Sequence, residues 1–580
     1  INAASTTMKV TDEISEAISH QTQSLQDIIC TTDEMSRISE NVLTIVEAAL
    51  MSTQFTKASV ATLMEVSGLL KQISGISAVS EVNTSDSAPE KTYELRTCIS
   101  YAIRCYDPAM SYNTPNTRLL KNIHAGLLVH NNYSDVLPGL AKNWHMEEDG
   151  RIWVFNLRKG TKFHNGREIT ADDVKFSMER LLSPKLKSPN SWFLDMIEGA
   201  RDYMDGKAAA VSGIMVFDRY KVVITLKMPF NGFLLNLTHC ACSILDREDV
   251  EKGEFTGCGS YYIEYSDGNG CILKAFDDYF GGRAYIDRIH VVYNDDHYIE
   301  NFIKQKYDFI IIQNRSNLSK LKDCGFMEAI KPQVVMNTEY AGFNLKSASI
   351  FAREIEVRRA MNYAVNKQRI MQDVFGDLAI ESKGPFPPGV IESPNPPGFA
   401  YDPQKARDIL KRAGITQIRD KLRMHYTGNP NNIYDKISEN ISEDLKAIGI
   451  DCELVKVKPD EAFTPEGIKK CDMYVYGWFA DTGDPGNFIE PLFSIENYSN
   501  LTGYANPKVQ ELIHSAKKVI NPYKRLEMYK KMQQIIIEDV PWLFLFHQCV
   551  AVAGRKALYG ANVTPLGMLN YDNIMLQENP

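Results

Sequence analysis

The sequence lacks the features that mark membrane-spanning and nucleic-acid-binding proteins. No uninterrupted apolar run reaches the roughly 18 residues that a membrane-spanning helix needs. The nearest candidates, Phe230–Leu245 and Val540–Gly554, are interrupted by polar residues such as Asn231 and His547. Excess positive charge is also lacking, since 64 Lys and Arg stand against 73 Asp and Glu, a net charge of -9. We therefore expect neither a nucleic acid nor an anionic membrane as a partner.

A regular set of paired cysteines is lacking as well. The 11 cysteines are scattered and odd in number, so they indicate a reducing compartment rather than a disulfide framework. Ile1 is not an initiator and no basic-then-apolar leader follows it, which predicts a fragment or a processed chain.

Glycine and proline are missing from residues 1–67, and Phe55 is the only aromatic residue there. Seven of nine positions at seven-residue intervals from Ile14 to Leu70 are apolar. This heptad pattern predicts a coiled-coil helix over residues 1–74 that must pack on another helix, and hence a coiled-coil dimer. The polar stretch 75–92 predicts a flexible linker.

The spacing of apolar and polar residues in Ile14–Ile28 and Ser59–Leu70 resembles that of the C-terminal limb of a methyl-accepting chemotaxis protein's signalling domain. The resemblance implies a chemoreceptor-type helical partner, although the tip motif that contacts the kinase and adaptor has no counterpart here. The alternative is a generic coiled-coil stalk.

From Tyr93 onward, strand-like runs alternate with capped helices, which favours mixed α/β lobes built around open sheets. Thr170–Asp173 forms a capping-box pattern, and Asp402-Pro403 is typical of a second helix start. The predicted strands include Ile152–Leu157, Thr161–Gly166, Ile289–Tyr293, Phe309–Ile312, Cys452–Val457 and Met473–Tyr476.

Ten short motifs in this region occur in one fixed order. They are Tyr106–Pro108, Leu137–Trp144, Phe163–Gly166, Thr170–Val174, Gly257–Tyr261, Tyr279–Gly282, Gly342–Asn344, Val357–Ala364, Tyr401–Pro403 and Gly477–Asp481. In this order they resemble family 5 solute-binding proteins, the oligopeptide- and dipeptide-binding components of ABC importers. Cys258, Ser260 and Asn366 depart from the family's usual Thr, Pro and Asp.

The resemblance implies an α/β, two-lobed, periplasmic-binding-protein-like fold of the large, three-subdomain type II form, closing on its ligand by hinge motion. It also implies a division of the chain. Lobe I would comprise residues 93–122, 240–342 and 541–580, the small accessory subdomain residues 123–239, and lobe II residues 343–540.

The resemblance further implies that Asp481 pairs with the α-amino group of a bound peptide. Trp478 would add a flat apolar wall with a cation–π contribution. The alternative is that Asp481 and Asp484 form Asx-type turns and that Trp478 is core. Three further aromatic residues stand where the family lines its cleft, in segments expected to cross between the lobes, with ordinary core packing as the alternative: Tyr340, Phe479 and Phe544.

Motifs for other chemistry are missing. No nucleophile elbow, phosphate-binding Gly-Lys-Ser/Thr loop or His-Glu-x-x-His occurs, so we expect neither an enzyme nor a cofactor. His239–Cys242 is the best metal-like cluster, but no second pair stands at a zinc spacing. Buried free thiols are therefore the favoured interpretation, and no metal is expected.

The sequence thus predicts a hinged module that binds an oligopeptide or dipeptide and is used for ligand sensing linked to chemotaxis-type signalling. The alternative is the substrate-binding component of an ABC importer that delivers peptide to a permease. The unpaired cysteines and the missing span between helix and module place the chain on the cytoplasmic side, the extracytoplasmic side being the alternative. The ligand stays open, since nickel-chelate, haem and sugar binders share the fold.

Overall fold

The computed structural model describes residues 92–576 apart from 104, 112, 131–135, 148–149, 327–329, 392–397, 429–432, 463, 520 and 556–557. The chain divides into two units after Glu90, and the described residues belong to the second unit, Lys91–Pro580. The predicted coiled-coil helix, its dimer and residues 75–91 of the predicted linker lie outside the described residues.

The described residues contain strands and helices interleaved along the whole chain, as the sequence predicts. The strands are β1 (Glu94–Ile99), β2 (Leu128–His130), β3 (Val136–Pro138), β4 (Ala141–Glu147), β5 (Ile152–Leu157), β6 (Ile214–Asp218), β7 (Lys221–Thr225), β8 (Tyr261–Ser266), β9 (Gly270–Ala275), β10 (Arg288–Tyr293), β11 (Phe309–Ile312), β12 (Ile330–Val334), β13 (Asn337–Phe343), β14 (Ala379–Glu381), β15 (Leu422–Thr427), β16 (Cys452–Val457), β17 (Met473–Phe479), β18 (Trp542–Gly554), β19 (Leu558–Tyr559) and β20 (Met575–Leu576).

The helices are α1 (Thr114–Ile123), α2 (Ala171–Leu181), α3 (Ala200–Met204), α4 (Phe233–Asn236), α5 (Arg247–Glu251), α6 (Tyr298–Ile303), α7 (Arg315–Asp323), α8 (Ile350–Arg353), α9 (Ile355–Ala364), α10 (Lys367–Val374), α11 (Pro403–Arg412), α12 (Ile433–Lys446), α13 (Pro459–Ala462), α14 (Pro465–Ile468), α15 (Gly486–Phe493), α16 (Pro507–Lys518) and α17 (Pro522–Asp539). Short 3₁₀ turns occupy Pro108–Met110, Ser191–Phe193, Cys240–Cys242 and Tyr571–Asn573.

Most of the elements that were predicted from local patterns are present. The capping box of α2 is present, with Thr170 and Asp173 bonded reciprocally, and Asp402 accepts from the Lys405 amide at the start of α11. The strand predicted over Thr161–Gly166 is wrong, because these residues form a loop with one isolated bridge, between Lys162 and Glu168. Inside that loop the Asn165 side chain donates to two carboxylates, those of Asp246 and Asp249, instead of pointing from a sheet.

Three sheets organise the body. The sheet that the resemblance assigns to lobe I, called the lobe I sheet, has the order β1-β10-β9-β8, with β1 and β10 parallel, and the sheet that it assigns to the accessory subdomain has the antiparallel order β4-β5-β7-β6. The largest sheet runs β11-β18-β13-β17-β15-β16, with β12 and β14 also paired to β18. Each sheet has its own core of buried apolar side chains, and the largest sheet has one on each face.

The long strand β18 connects two parts of the molecule. Its first half pairs with β13, which carries the lobe II strand β17, and its second half pairs with β11 and β12. Residues 330–343 run antiparallel to β18 along this whole length, with an irregular register between Glu339 and Tyr340. We call β12, β13 and β18 together the crossover ribbon. The domain boundaries that the sequence implies stay a prediction.

Candidate functional site

The carboxyl end of β17 and the loop after it carry the predicted binding residues. Trp478 and Phe479 end the strand, and residues 480–485 lead into α15. Two backbone bonds fix the loop: Ala480 N donates to Met336 O at 2.8 Å, and Asp481 N donates to Asn487 Oδ1 at 2.9 Å. The loop is thus tied both to the crossover ribbon and to the first turn of α15.

Asp484, the second acidic residue of this loop, has a structural role. Its two oxygens accept from the Arg525 guanidinium at 2.6 and 2.7 Å, and one of them also accepts from the Gly486 amide at 2.6 Å. Both members of the pair are almost completely buried. A bidentate, buried ion pair of this kind fixes α17 against the loop and leaves no charge for a ligand.

Asp481 is in a different electrostatic situation. Among the described residues no Lys, Arg or His nitrogen lies within 4.0 Å of its carboxylate, which interacts with the Asn487 side chain. Burial raises the pKa of Asp481 to about 7, and the Asn487 hydrogen bond only partly opposes this. A desolvated carboxylate without a cationic partner is suited to receive a cation from a ligand.

The charge of Asp481 acts on the 3₁₀ turn at Cys240–Cys242. Burial raises the pKa of the Cys240 thiol to about 11, and the charge of Asp481 acts in the same direction, which places the two groups near each other. Lys121 lies beside the same turn, where its ammonium donates to Thr238 O and burial lowers its pKa to about 8. The electrostatic effect of Asp481 therefore extends to a turn that is 241 positions earlier in the chain.

The two aromatic residues before this loop are half-buried and pack in different directions. The Trp478 indole N–H donates to Asn487 O at 2.8 Å, and its ring borders the core that contains Trp542. Phe479 borders the core of the lobe I sheet instead. Their assignment to the ligand cleft stays a prediction.

Tyr340 and Phe544 lie deeper than the sequence predicts for residues that line a cleft. Tyr340 is 1% exposed and stacks on Trp542 with ring centres 3.7 Å apart, while Phe544 is 2% exposed and lies parallel to the Phe399 ring. Ordinary core packing accounts for both side chains, and their ligand role stays a prediction as well.

One buried polar cluster has no counterpart among the residues predicted from the sequence. Glu339, in the middle of β13, is 1% exposed and accepts hydrogen bonds from Gln548, Asn337 and Tyr434. The sequence offers one sign of this cluster, because Glu339 is the only charged residue in the stretch 332–345. Its shortest hydrogen bond comes from Gln548, which is 209 positions away in the chain, so the cluster cannot be recognised from neighbouring residues.

Neither a metal centre nor a membrane span emerges from the described residues. They hold no group of three or more His, Cys, Asp or Glu side chains placed to bind a metal ion, and Cys240 and Cys242 are buried, free thiols. In the same part of the chain, no helix combines the length and the apolar character required to cross a bilayer.

Comparison with known proteins gives one family match. Residues 135–500 match the model described as bacterial extracellular solute-binding proteins, family 5, middle. The dipeptide-binding protein of Escherichia coli is 27% identical over 474 residues, covering 77% of this chain and 87% of that protein. Heme-binding protein A of Haemophilus influenzae is 27% identical over 446 residues, covering 71% of this chain and 79% of that protein.

A solved structure agrees with the fold. The ABC transporter-associated periplasmic binding protein DppA from Helicobacter pylori, in complex with the peptide STSA, superposes with a TM-score of 0.69. It is 23% identical, and the alignment covers 84% of this chain and 99% of that one. The predicted two-lobed, periplasmic-binding-protein α/β fold is thereby confirmed.

These findings correct the expected compartment, and they favour the importer role over the sensing role. The cytoplasmic placement is wrong, because the matching family is described as extracellular. The free thiols are a poor indicator of compartment, because six of the ten described cysteines are buried and burial raises the pKa values of thiols such as Cys240 and Cys258. Nothing in the matches supports chemotaxis signalling, and the importer alternative fits them better.

Proposed function

Because this chain belongs to the bacterial extracellular solute-binding proteins, family 5, we propose that it binds a small peptide between its lobes as the substrate-binding component of an ABC importer. The observation that carries the proposal is Asp481, a desolvated carboxylate without a cationic partner among the described residues. The E. coli dipeptide-binding protein and the peptide-bound Helicobacter protein support the choice of ligand class.

A peptide presents the charge that this site lacks. The free α-ammonium of a peptide can donate up to three hydrogen bonds, and a charge-assisted bond to a carboxylate contributes roughly 1.5–3 kcal/mol. Asn487 holds both the Asp481 amide and the Trp478 indole, at 2.9 and 2.8 Å. The carboxylate and the aromatic ring are thus pre-positioned relative to each other, which lowers the entropy cost of binding.

The three remaining cleft residues of the proposal are Phe479, Tyr340 and Phe544. Phe479 is the best placed of them, since it is half-buried and borders the other lobe's core. Tyr340 and Phe544 would contribute by shaping the floor beneath Tyr476 and Trp478.

Isothermal titration calorimetry with a matched pair of ligands tests the proposal. A dipeptide or tripeptide with a free amino terminus is expected to release or absorb heat with a saturable isotherm, whereas the same peptide acetylated at its amino terminus binds at least tenfold more weakly. Absence of heat for every peptide from two to five residues would remove peptide as the ligand class. Equal binding of free and acetylated peptides would remove Asp481 as the ammonium partner while leaving peptide binding intact.

The importer role has its own test. Cells that produce the protein are expected to accumulate a radiolabelled dipeptide that binds in calorimetry, and cells that lack it are expected to lose this uptake. Binding in vitro with unchanged uptake in the deletion strain would contradict the transport part of the proposal alone.

A further inference from the structure

A polar cluster lies where the crossover ribbon passes from one lobe to the other. It consists of Asn337 and Glu339 on β13 and His547 and Gln548 on β18, next to the irregular register between Glu339 and Tyr340. Strand β18 changes its partner from β13 to β12 just beyond this point. Any rotation of the lobes about the ribbon must therefore deform the backbone around these residues.

One carboxyl group joins three elements in this cluster. Glu339 Oε1 accepts from Gln548 Nε2 at 2.6 Å and from Asn337 Nδ2 at 3.2 Å, and Oε2 accepts from the Tyr434 hydroxyl of α12 at 3.2 Å. Asn337 Oδ1 in turn accepts a hydrogen bond from the backbone N–H of Gln548 at 2.7 Å. Both ribbon strands and a lobe II helix thus depend on the state of Glu339.

Neutral groups surround this carboxyl on every side that the structure describes. The titratable neighbours are Tyr340 on its own strand, Tyr476 on β17, Tyr434 on α12 and His547 on β18. Burial lowers the pKa of His547 to about 4, so this ring is uncharged near neutral pH. Among the described residues no Lys or Arg forms an ion pair with Glu339, and burial raises its pKa to about 8 against the opposing effect of three donors.

We propose that Glu339 is a positioning residue of the hinge, whose neutral carboxyl fastens the crossover ribbon in the arrangement of this structure and whose ionisation loosens it. The neutral acid fits the site, because Oε1 accepts from two amides while the protonated Oε2 can donate to the Tyr434 oxygen. The ionised form is a buried charge without a counter-charge, which is stabilised when water reaches it. Separation of the ribbon strands at the irregular register gives water that access.

The inference rests on the proposed function in one respect, since closure on a solute is the movement that this residue would control. Its test needs no ligand and is therefore independent of whether peptides bind. Hydrogen–deuterium exchange of the full chain, followed by mass spectrometry, reports the opening of the ribbon amides in peptides covering residues 333–341 and 545–551. Protection factors correct for the pH dependence of the intrinsic exchange rate.

In the wild-type protein we expect the ribbon protection factors to fall by up to tenfold per pH unit from about pH 4.5 to about pH 8 and to be constant above it, because the opened ribbon releases the Glu339 proton near the ordinary pKa whereas the intact ribbon holds it up to about pH 8. Glu339→Gln mimics the neutral acid, because its carbonyl can accept from Gln548 and its amide can donate to Tyr434. This variant is expected to keep its ribbon protection at pH 9. Glu490→Gln is the matched control: Glu490 is a shielded carboxyl with a raised pKa, paired with Lys517 within lobe II at 3.0 Å, so this variant should respond like the wild type.

A second variant keeps the test decisive if Glu339→Gln folds poorly. Gln548→Met removes the shortest bond to the carboxylate at similar volume, so the fall in protection is expected to persist and its upper end to move to higher pH. A wild-type ribbon whose protection does not depend on pH, or a pH dependence retained in Glu339→Gln, would overturn the proposal. An unchanged upper end in Gln548→Met would do the same, since the hydrogen bond would then not act on the titrating group.

Discussion

Replacing Asp481 by Asn should have opposite effects on stability and on binding. The pKa of Asp481 is about 7 in the folded protein, against an ordinary value of 3.8, because burial disfavours the charged form. The folded state therefore holds this proton more tightly than the unfolded state, and stability falls as the pH rises from about 4 to about 7. At 1.36 kcal/mol per tenfold change in proton affinity, the full effect above pH 7 is at most about 4 kcal/mol.

Asp481→Asn removes this penalty because the amide is never charged. We expect the ligand-free variant to unfold at a higher temperature than the wild type at pH 8 and at the same temperature near pH 4. Peptide affinity should change the other way. The loss of a charge-assisted bond of roughly 1.5–3 kcal/mol raises the dissociation constant of the peptide by about 10- to 150-fold at pH 8.

Differential scanning calorimetry at the two pH values and titration calorimetry at pH 8 measure both effects on the same preparation. Asp484→Asn is the comparison variant: its carboxylate is already paired with Arg525, so removing this charge should lower the stability instead of raising it. The reasoning is refuted if Asp481→Asn is less stable than the wild type at pH 8, because the carboxylate would then have a stabilising partner in the free protein. Undiminished peptide affinity would refute the assignment of the ammonium site.

The same geometry leads to three further expected outcomes. Asp484→Asn should destabilise the protein by about 3–5 kcal/mol in denaturant unfolding, because it leaves the buried Arg525 charge unpaired; a loss below about 1 kcal/mol would contradict this role. The affinity for a peptide should rise by up to tenfold per pH unit as the pH approaches about 7 in titrations across pH 5–8, because Asp481 must be ionised to pair with the ammonium, and this dependence should be lost in Asp481→Asn; a wild-type affinity that is independent of pH would exclude this role. Gly477→Ala should cost about 1–3 kcal/mol in thermal unfolding, because its new methyl group would lie 2.4 Å from the buried Glu339 Oε1; a neutral effect would show that this carboxyl moves freely.

Sequence reasoning worked where a signal is local. The helix caps at Thr170 and Asp402 were predictable because all partners lie within three residues, and β11 and β16 were predictable from compact apolar patterns. The family resemblance located the Asp481 loop through a run of motifs, which composition and periodicity alone do not provide.

The distinction between Asp481 and Asp484 could not be read from the sequence. Two aspartates three positions apart in one loop look equivalent, and the residue that separates their roles, Arg525, lies 41 positions beyond Asp484. The hinge cluster was hidden for the same reason, since Gln548 meets Glu339 only when β18 pairs with β13. Long-range pairing decides which carboxylate is satisfied and which is left for a ligand.

Hydrogen bonds join the proposed binding loop to the proposed hinge cluster. Ala480 N, next to Asp481, donates to Met336 O, and Met336 precedes Asn337, whose side chain bonds both Glu339 and Gln548. A cation that pairs with Asp481 fixes this loop, and the loop is attached to the ribbon one residue before the cluster that Glu339 organises. A bound solute can shift the hinge only by the difference between its affinities for the closed and the open arrangement. Attachment of the loop to the ribbon provides such a difference, since opening the ribbon displaces the backbone that positions the Asp481 carboxylate.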